Sequence, residues 1–203
     1  MLGSIKYNLA NLANFDGRDA RQTFWFYILF LVIVQFVLGM VMAIPMMGSM
    51  FGTIFEASSG GMDVDQEVLM REMMTDMIGW IKVQMILGVV LSVIIAGLML
   101  ASFVRRCHDA GYAGWIVIIP LATQAFSMAY AFTFFDKMEE IMLETMMASM
   151  DPATAGQVNP YAMQAEMGLP GMVGYIGYLV VIIFGVLRSE DGPNQYGEEP
   201  VRF

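Results

Sequence analysis

The chain contains very little cysteine, histidine and charge. Its 203 residues include one cysteine, Cys107, and one histidine, His108, and only 14% of them are charged. A single cysteine excludes an intrachain disulfide bond, so cysteine content gives no indication of the redox compartment. Soluble domains carry about 25% charged residues. Here the deficit comes from a few long runs almost without charge, which are typical of membrane proteins.

Basic residues are scarce as well, because 10 lysines and arginines stand against 19 acidic residues and give a formal charge of -9. A nucleic-acid-binding protein needs a basic surface, so we expect no nucleic-acid partner. The first apolar run is too long for the apolar core of a secretory signal peptide. Before it, apolar residues at helical spacing predict a short helix on the membrane surface over residues 2–13. These apolar residues are Leu2, Ile5, Leu9 and Leu12.

Four apolar runs predict four membrane-spanning helices, since about 20 apolar residues cross a hydrocarbon core of about 30 Å. The first run is closed by Pro45, and the fourth is the shortest and is rich in glycine. Trp or Tyr residues lie near the ends of the runs, as is typical of membrane–water interfaces. The expected fold is an all-α integral membrane four-helix bundle forming a single domain, residues 1–203. The predicted spans are residues 24–45, 81–104, 115–135 and 168–187.

The distribution of lysine and arginine predicts the orientation. Seven of the 10 basic residues fall on one side of the spans. The positive-inside rule places that side in the cytoplasm, with both termini and the tail, residues 188–203. The outer loops, residues 46–80 and 136–167, contain most of the 19 acidic residues. Apolar residues recur in each loop at intervals of three and four, which predicts an amphipathic helix in each.

Methionine is abundant, with 22 residues in the chain, many of them in the outer loops. Thioethers could bind copper(I), because soft ligands select that metal. Methionine is also a flexible apolar filler on a helix face, and neither histidine nor cysteine occurs in these loops. We therefore expect no metal site and no cofactor. The predicted apolar faces include Met73, Met77 and Ile78, opposite Asp76, in the first loop and Met138, Ile141 and Met142 in the second.

Two amides lie near the middle of predicted spans, Gln35 in the first and Gln124 in the third. An unpaired amide in hydrocarbon is costly, so we expect both to face the bundle interior and to find polar partners. No acidic or basic residue lies deep in a span, so the sequence does not indicate an ion-coupled transport path.

Three motifs lie at the predicted cytoplasmic surface: FDGRDARQTFW over 15–25, RRCHDAGYAGW over 105–115 and GPNQYGEEP over 192–200. Together with four spans, they resemble the bacterial inner-membrane family known as domain of unknown function 805. The resemblance covers nearly the whole chain and implies a location in the bacterial inner (plasma) membrane. The family carries no established activity, so the resemblance implies no reaction.

The polar residues of these motifs form the candidate site, and two interpretations stay open. They could be a polar cluster that holds the ends of the spans together. Alternatively, the arginines could bind an anionic lipid headgroup, since guanidinium binds phosphate bidentately. Catalysis by Cys107 with His108 is disfavoured because adjacent helical residues point about 100° apart, so we assign no catalytic residue. The candidate residues are Arg18, Arg21, Arg105, Arg106, His108, Asp109 and Asn194.

The sequence favours a non-enzymatic scaffold or partner subunit of unknown activity. Its expected partners are the lipid bilayer, including anionic lipid headgroups, and an unidentified membrane protein. The alternatives are a small transporter or channel component, or a protein that binds anionic lipid headgroups.

Overall fold

The computed structural model describes residues 1–59, 66–150 and 162–200, which are mostly helical and form no strand. An isolated bridge joins Asn194 to Gly197. The predicted all-α class is therefore confirmed. The helices are α1 Leu2–Ala10, α2 Arg21–Ser59, α3 Gln66–Asp109, α4 Ile118–Met150 and α5 Ala162–Val186, with a 3-10 turn at Gly114–Val117 before α4.

Within the described residues, three helical segments are long and apolar enough to cross a membrane: Arg21–Phe55, Thr75–Asp109 and Gly114–Phe135. They contain the first three predicted spans. The fourth predicted span corresponds to Met172–Val186 in α5, a shorter apolar helix of 10–17 residues. The fourth crossing, and with it the exact four-helix bundle, stays a prediction.

The first two spanning helices are much longer than the sequence predicted. α2 has 39 residues and α3 has 44, so at 1.5 Å per residue they are about 58 Å and about 66 Å long. α2 does not end at Pro45 but continues through it to Ser59. Proline cannot donate a backbone hydrogen bond and loosens the preceding turn. In that turn the carbonyl of Met42 accepts a hydrogen bond from Gln84 Nε2 at 2.5 Å.

The predicted helices of the outer loops are not separate elements among the described residues. The helical pattern of the first loop instead extends α3, which begins at Gln66, and that of the second extends α4 to Met150. Backbone that continues a helix keeps its hydrogen bonds internal, which favours the longer helices. On the first predicted apolar face Ile78 is buried. Asp76, which was predicted on the opposite face, is exposed. The Met138 side chain and residues 151–161 lie outside the described part.

The described chain forms two compact units, residues 1–29 with 96–203, and residues 30–95. The core of the first unit brings together Phe24, Phe103, Cys107, Ile116 and Val181. The indole of Trp25, next to this core, donates a hydrogen bond to the carbonyl of Gly185 at 3.0 Å. This contact joins the start of α2 to the end of α5. α4 and α5 also pack together in this unit.

The second unit contains the remainder of α2 and the first part of α3. Its buried residues include Leu31 and Leu91. Leu31 and the half-buried Val34 turn inward, and Gln35 is exposed. The prediction that Gln35 faces an interior is therefore wrong, because the packing of α2 does not extend to it: residues 35–41 are all exposed. Gln124, in the first unit, is half-buried, and its interior position stays a prediction.

Candidate functional site

The segment between α1 and α2 brings Arg18 and Asp19 to the end of α3. Gly17 makes this possible, because its φ of 88° lies in the left-handed region that favours glycine. The backbone N–H of Asp19 then donates to the carbonyl of Arg105 at 3.1 Å. The first and second sequence motifs are thereby joined through the backbone as well as through side chains.

Arg105 uses all five of its N–H groups within the protein. Its Nε donates to Asp19 Oδ1 at 3.0 Å, and Nη2 donates to Asp19 Oδ2 at 3.3 Å and to Asn8 Oδ1 at 2.6 Å. Its Nη1 donates to the carbonyls of Asn11, at 2.9 Å, and Asn14. These carbonyls follow the last turn of α1, where helical backbone lacks internal partners. Arg105 thus fixes α1 and the segment after it to α3.

Asp109 is the acceptor at the centre of a second set of contacts. Its Oδ1 accepts from Arg18 Nε at 3.2 Å and from Arg18 Nη2 at 3.0 Å. Its Oδ2 accepts from Arg106 Nη1 and from the hydroxyl of Ser189, the latter at 2.5 Å. The carboxylate therefore joins the segment before α2, the end of α3 and the segment after α5.

The two arginines bound to Asp109 also hold the C-terminal segment. Arg106 Nη2 donates to the carbonyl of Leu187, just after α5. Arg18 donates to two carbonyls, that of Glu190 through Nη2 and that of Gly192 through Nη1, each at 2.6 Å. The arginines therefore satisfy carbonyls at a helix end and in an irregular segment, groups that would otherwise need water.

We call Arg18, Asp19, Arg105, Arg106 and Asp109 the polar cluster. Arg18 is 4% exposed, Asp19 1% and the other three 0%. Three guanidinium groups and two carboxylates leave a formal charge of +1 inside the protein. Burial raises the pKa of Asp19 above its ordinary value, while the charge and hydrogen bond of Arg105 act in the opposite direction. Buried charges are tolerated only when they are paired in this way.

His108 and Asn194 adjoin the polar cluster. The His108 ring stacks on that of Tyr196 with centroids 3.9 Å apart, and its Nδ1 lies 3.3 Å from the carbonyl oxygen of Gly17. Asn194 Nδ2 donates to the carbonyl of His108 at 3.0 Å. These contacts fold the tail over the end of α3.

Of the seven predicted site residues, the structure brings six together and leaves one at the surface. Arg21, the first residue of α2, has an exposed side chain. Sequence reasoning missed Asn8, Asp19, Ser102 and Ser189 as members of the site. Asp19 could have been found, because it is adjacent to Arg18 within a quoted motif. Nothing in the local sequence marks Ser102, whose hydroxyl donates to Asp19 Oδ2 at 2.9 Å.

A cavity of about 210 Å³ adjoins the cluster. Small-molecule sites usually measure about 300–1,000 Å³, so this one suits at most a very small ligand. No group of three metal-ligating side chains occurs in the described parts of the chain. The residues that line the cavity are Tyr7, Arg18, Asp19, Ala20, Thr23, Glu199 and Pro200.

Cys107 and His108 lie on different surfaces of α3. Cys107 is 0% exposed and packs with Phe24 and Phe103 in the apolar core. His108 instead stacks on Tyr196 at the tail. This geometry does not place the thiol within reach of the imidazole as a nucleophile and its base.

By their length and composition, several of the described helices are apolar enough to cross a bilayer. The fold is therefore that of a helical membrane protein. Residues 12–198 match the family described as Protein of unknown function (DUF805), and the chain belongs to that family. The resemblance inferred from the three motifs is therefore confirmed. No curated protein and no solved structure matches the chain.

Proposed function

We propose that the protein is a multi-pass scaffold or partner subunit of the bacterial inner membrane, without enzymatic activity. In this proposal the chain crosses four times and both termini are cytoplasmic, as the lysine and arginine distribution favours. The polar cluster then lies at the cytoplasmic ends of the helices. Its role is to hold α1, the start of α2, the end of α3 and the tail in one arrangement.

The observation that carries the proposal is the complete use of the Arg105 guanidinium by protein acceptors. A headgroup site needs N–H groups that face the ligand. Arg105 has none left, and Arg106 is also 0% exposed. This favours the structural interpretation over headgroup binding by these two arginines.

A partner surface is supported by the exposed side chains of α2 beyond Pro45. Residues 46–59 add about 21 Å of helix after the predicted span. Phe51 and Phe55 in this extension are 66% and 70% exposed, and Met47 lies one turn before Phe51. Large exposed apolar patches mark interaction sites. We therefore place the contact with a partner protein on this extension.

The test compares a buried and an exposed arginine, taken from two of the motifs, by leucine substitution. We expect Arg105→Leu to lose most of the folded protein, measured as the monodisperse fraction in mild detergent and as melting temperature, because Asp19 is left buried and unpaired. Arg21→Leu is the matched control and should melt like the wild type. Native mass spectrometry of the same samples records bound lipid. If Arg105→Leu kept its stability and lost lipid, the headgroup interpretation would replace this proposal.

A further inference from the structure

Two uncharged polar side chains of α1 are buried, whereas two of its leucines are exposed and Ile5 is half-buried. Ser4 is 0% exposed and Asn8 1%, whereas Leu2 is 81% exposed and Leu9 42%. At 100° per residue, the two leucines project about 100–160° away from the two polar residues. A helix on a water-covered surface shows the reverse pattern. The outer face of α1 is therefore suited to an apolar environment.

The rotation of α1 is fixed by its polar face. Asn8 Oδ1 and the carbonyl of Asn11 both accept hydrogen bonds from Arg105, at 2.6 Å and 2.9 Å. The Arg105 guanidinium also lies 5.5 Å from the centroid of the Tyr7 ring. Turning the leucines inward would break these contacts, so the apolar face stays outward.

The position of α1 indicates what covers this face. Arg105 is in the last turns of α3, within the candidate span Thr75–Asp109, so α1 lies where a span ends. Lys6 projects from the same outer face and is exposed, and the sequence has no acidic residue before Asp16. Apolar side chains around one lysine suit the boundary between acyl chains and anionic phosphates, where the lysine stem lies on the apolar layer.

We propose that the outer face of α1, formed by Leu2, Lys6 and Leu9, binds anionic phospholipid in the leaflet next to the polar cluster. This inference rests on the proposed function of that cluster in one respect. The inner face of α1 supplies acceptors to Arg105, so lipid bound to the outer face stabilises the closed cluster, in which these hydrogen bonds are formed. By linkage, a closed cluster also raises the affinity for lipid by the same factor.

The first experiment locates Leu9 directly. Leu9→Cys is labelled with an environment-sensitive fluorophore, since the native Cys107 is 0% exposed, and the protein is placed in vesicles of phosphatidylglycerol and phosphatidylcholine. A nitroxide near the lipid headgroup should quench this label strongly. Label on Gln195→Cys, in the exposed tail, should be quenched much less. Equal quenching at both positions, or none at Leu9, overturns the inference.

The second experiment tests the preference for anionic lipid and its link to the cluster. We expect Lys6→Gln to bind phosphatidylglycerol about fivefold more weakly, because one lysine near an anionic surface contributes about 1 kcal/mol. Binding of phosphatidylcholine should not change. Leu9→Ser should weaken the binding of both lipids. If Lys6→Gln kept the full phosphatidylglycerol affinity, the anionic-lipid assignment would be wrong.

Asn8→Ala separates the two proposals. It removes an acceptor of Arg105 and leaves the outer face unchanged, so it should lower the melting temperature in detergent. A melting temperature equal to that of the wild type contradicts the proposed role of the cluster. A lowered melting temperature of Asn8→Ala, together with a label on Leu9→Cys that is not quenched, contradicts only the lipid inference.

Discussion

At the scale of single residues, burial decides what an ion pair contributes to stability. Arg106–Asp109 and Arg188–Asp191 have the same spacing of three residues. The side chains of the first pair are 0% exposed, and those of the second are 78% and 82% exposed. From the sequence, which places these residues beside apolar runs, the cluster could be either solvated or buried. The structure buries it.

Asp109→Ala should therefore be strongly destabilising. It leaves Arg18 and Arg106 buried, adjacent and without their carboxylate, a situation that costs about 3–5 kcal/mol of unfolding free energy. Asp191→Ala is the control, with an expected loss of about 0–1 kcal/mol for an exposed pair. Denaturation by sodium dodecyl sulfate, followed by tryptophan fluorescence, measures both. Equal small losses in the two variants would show that the buried pair is solvated after all.

Gln35 and Gln84, both in the second unit, should also differ. Gln84→Leu removes the donor to the Met42 carbonyl near Pro45, and an intramembrane hydrogen bond is worth about 0.6–2 kcal/mol. Gln35→Leu removes an exposed amide from an apolar surface and should cause no loss. The same denaturation experiment distinguishes them. A greater loss for Gln35→Leu would mean that another molecule pairs with this amide in the membrane.

Much of the site could be predicted from the sequence, because six of its residues belong to three motifs at one predicted surface. Their burial could not, since Asn8 of α1 completes the hydrogen bonds of Arg105 and Ser102 of α3 completes those of Asp19, both from outside the three motifs. The orientation of Gln35 was also beyond reach. Helical spacing orders residues around a helix, but it does not show how far along the helix the packing extends, and residues 35–41 of α2 are all exposed.

At the scale of elements, glycine determines how closely α4 and α5 approach. A Cβ on Gly177 would lie 3.0 Å from Pro120 Cα and closer still to the Thr123 hydroxyl. Gly88, in α3, has no such neighbour within 4 Å of the corresponding position. Small residues at helix contacts allow close packing in membranes, where the hydrophobic effect does not drive helices together.

Gly177→Ala should force α4 and α5 apart, at a cost of about 1–3 kcal/mol typical of overpacking. Gly88→Ala should be neutral or stabilising by up to about 1 kcal/mol, because alanine is the better helix former. Melting temperatures in mild detergent measure the difference. A neutral Gly177→Ala would indicate that α5 moves freely on α4.

Sequence analysis did not predict where the long helices end. Pro45 suggested an end to the first span, yet α2 continues to Ser59. Pro45 leaves the carbonyl of Val41 without its helical donor, and the neighbouring carbonyl of Met42 accepts a hydrogen bond from Gln84 Nε2, 42 residues away in sequence. Local propensity cannot reveal a hydrogen bond of that kind.

At the scale of the whole molecule, topology is the property that most needs a direct test. Seven of the 10 basic residues lie on the side that we place in the cytoplasm. The described helices supply three segments long enough to cross, and the shorter apolar helix Met172–Val186 in α5 is the predicted fourth crossing. An odd number of crossings would place the tail on the opposite side from α1, whereas Arg18 in fact bonds to the tail carbonyls of Glu190 and Gly192.

We expect reporter fusions after residue 200 and at residue 14 both to indicate the cytoplasm. A fusion within residues 151–161, inside the predicted outer loop 136–167, should indicate the periplasm. Phosphatase and fluorescent-protein reporters give opposite signals at each position and control for expression. A periplasmic signal after residue 200 would remove α5 as a crossing.

The separation of the cluster residues along the chain also has a consequence for biosynthesis. Arg18 and Asp109 are 91 residues apart, and Asp109 and Ser189 are 80 apart. At about 5–20 residues per second, the ribosome makes Asp109 about 5–18 s after Arg18, and the tail later still. Arg18 must therefore wait in a hydrated, unpaired state while the second and third helices are inserted. All five residues of the polar cluster have been made once the ribosome passes Asp109, so a chain that stalls before Asp109 exposes an Arg18 without the carboxylate that it binds in the folded protein.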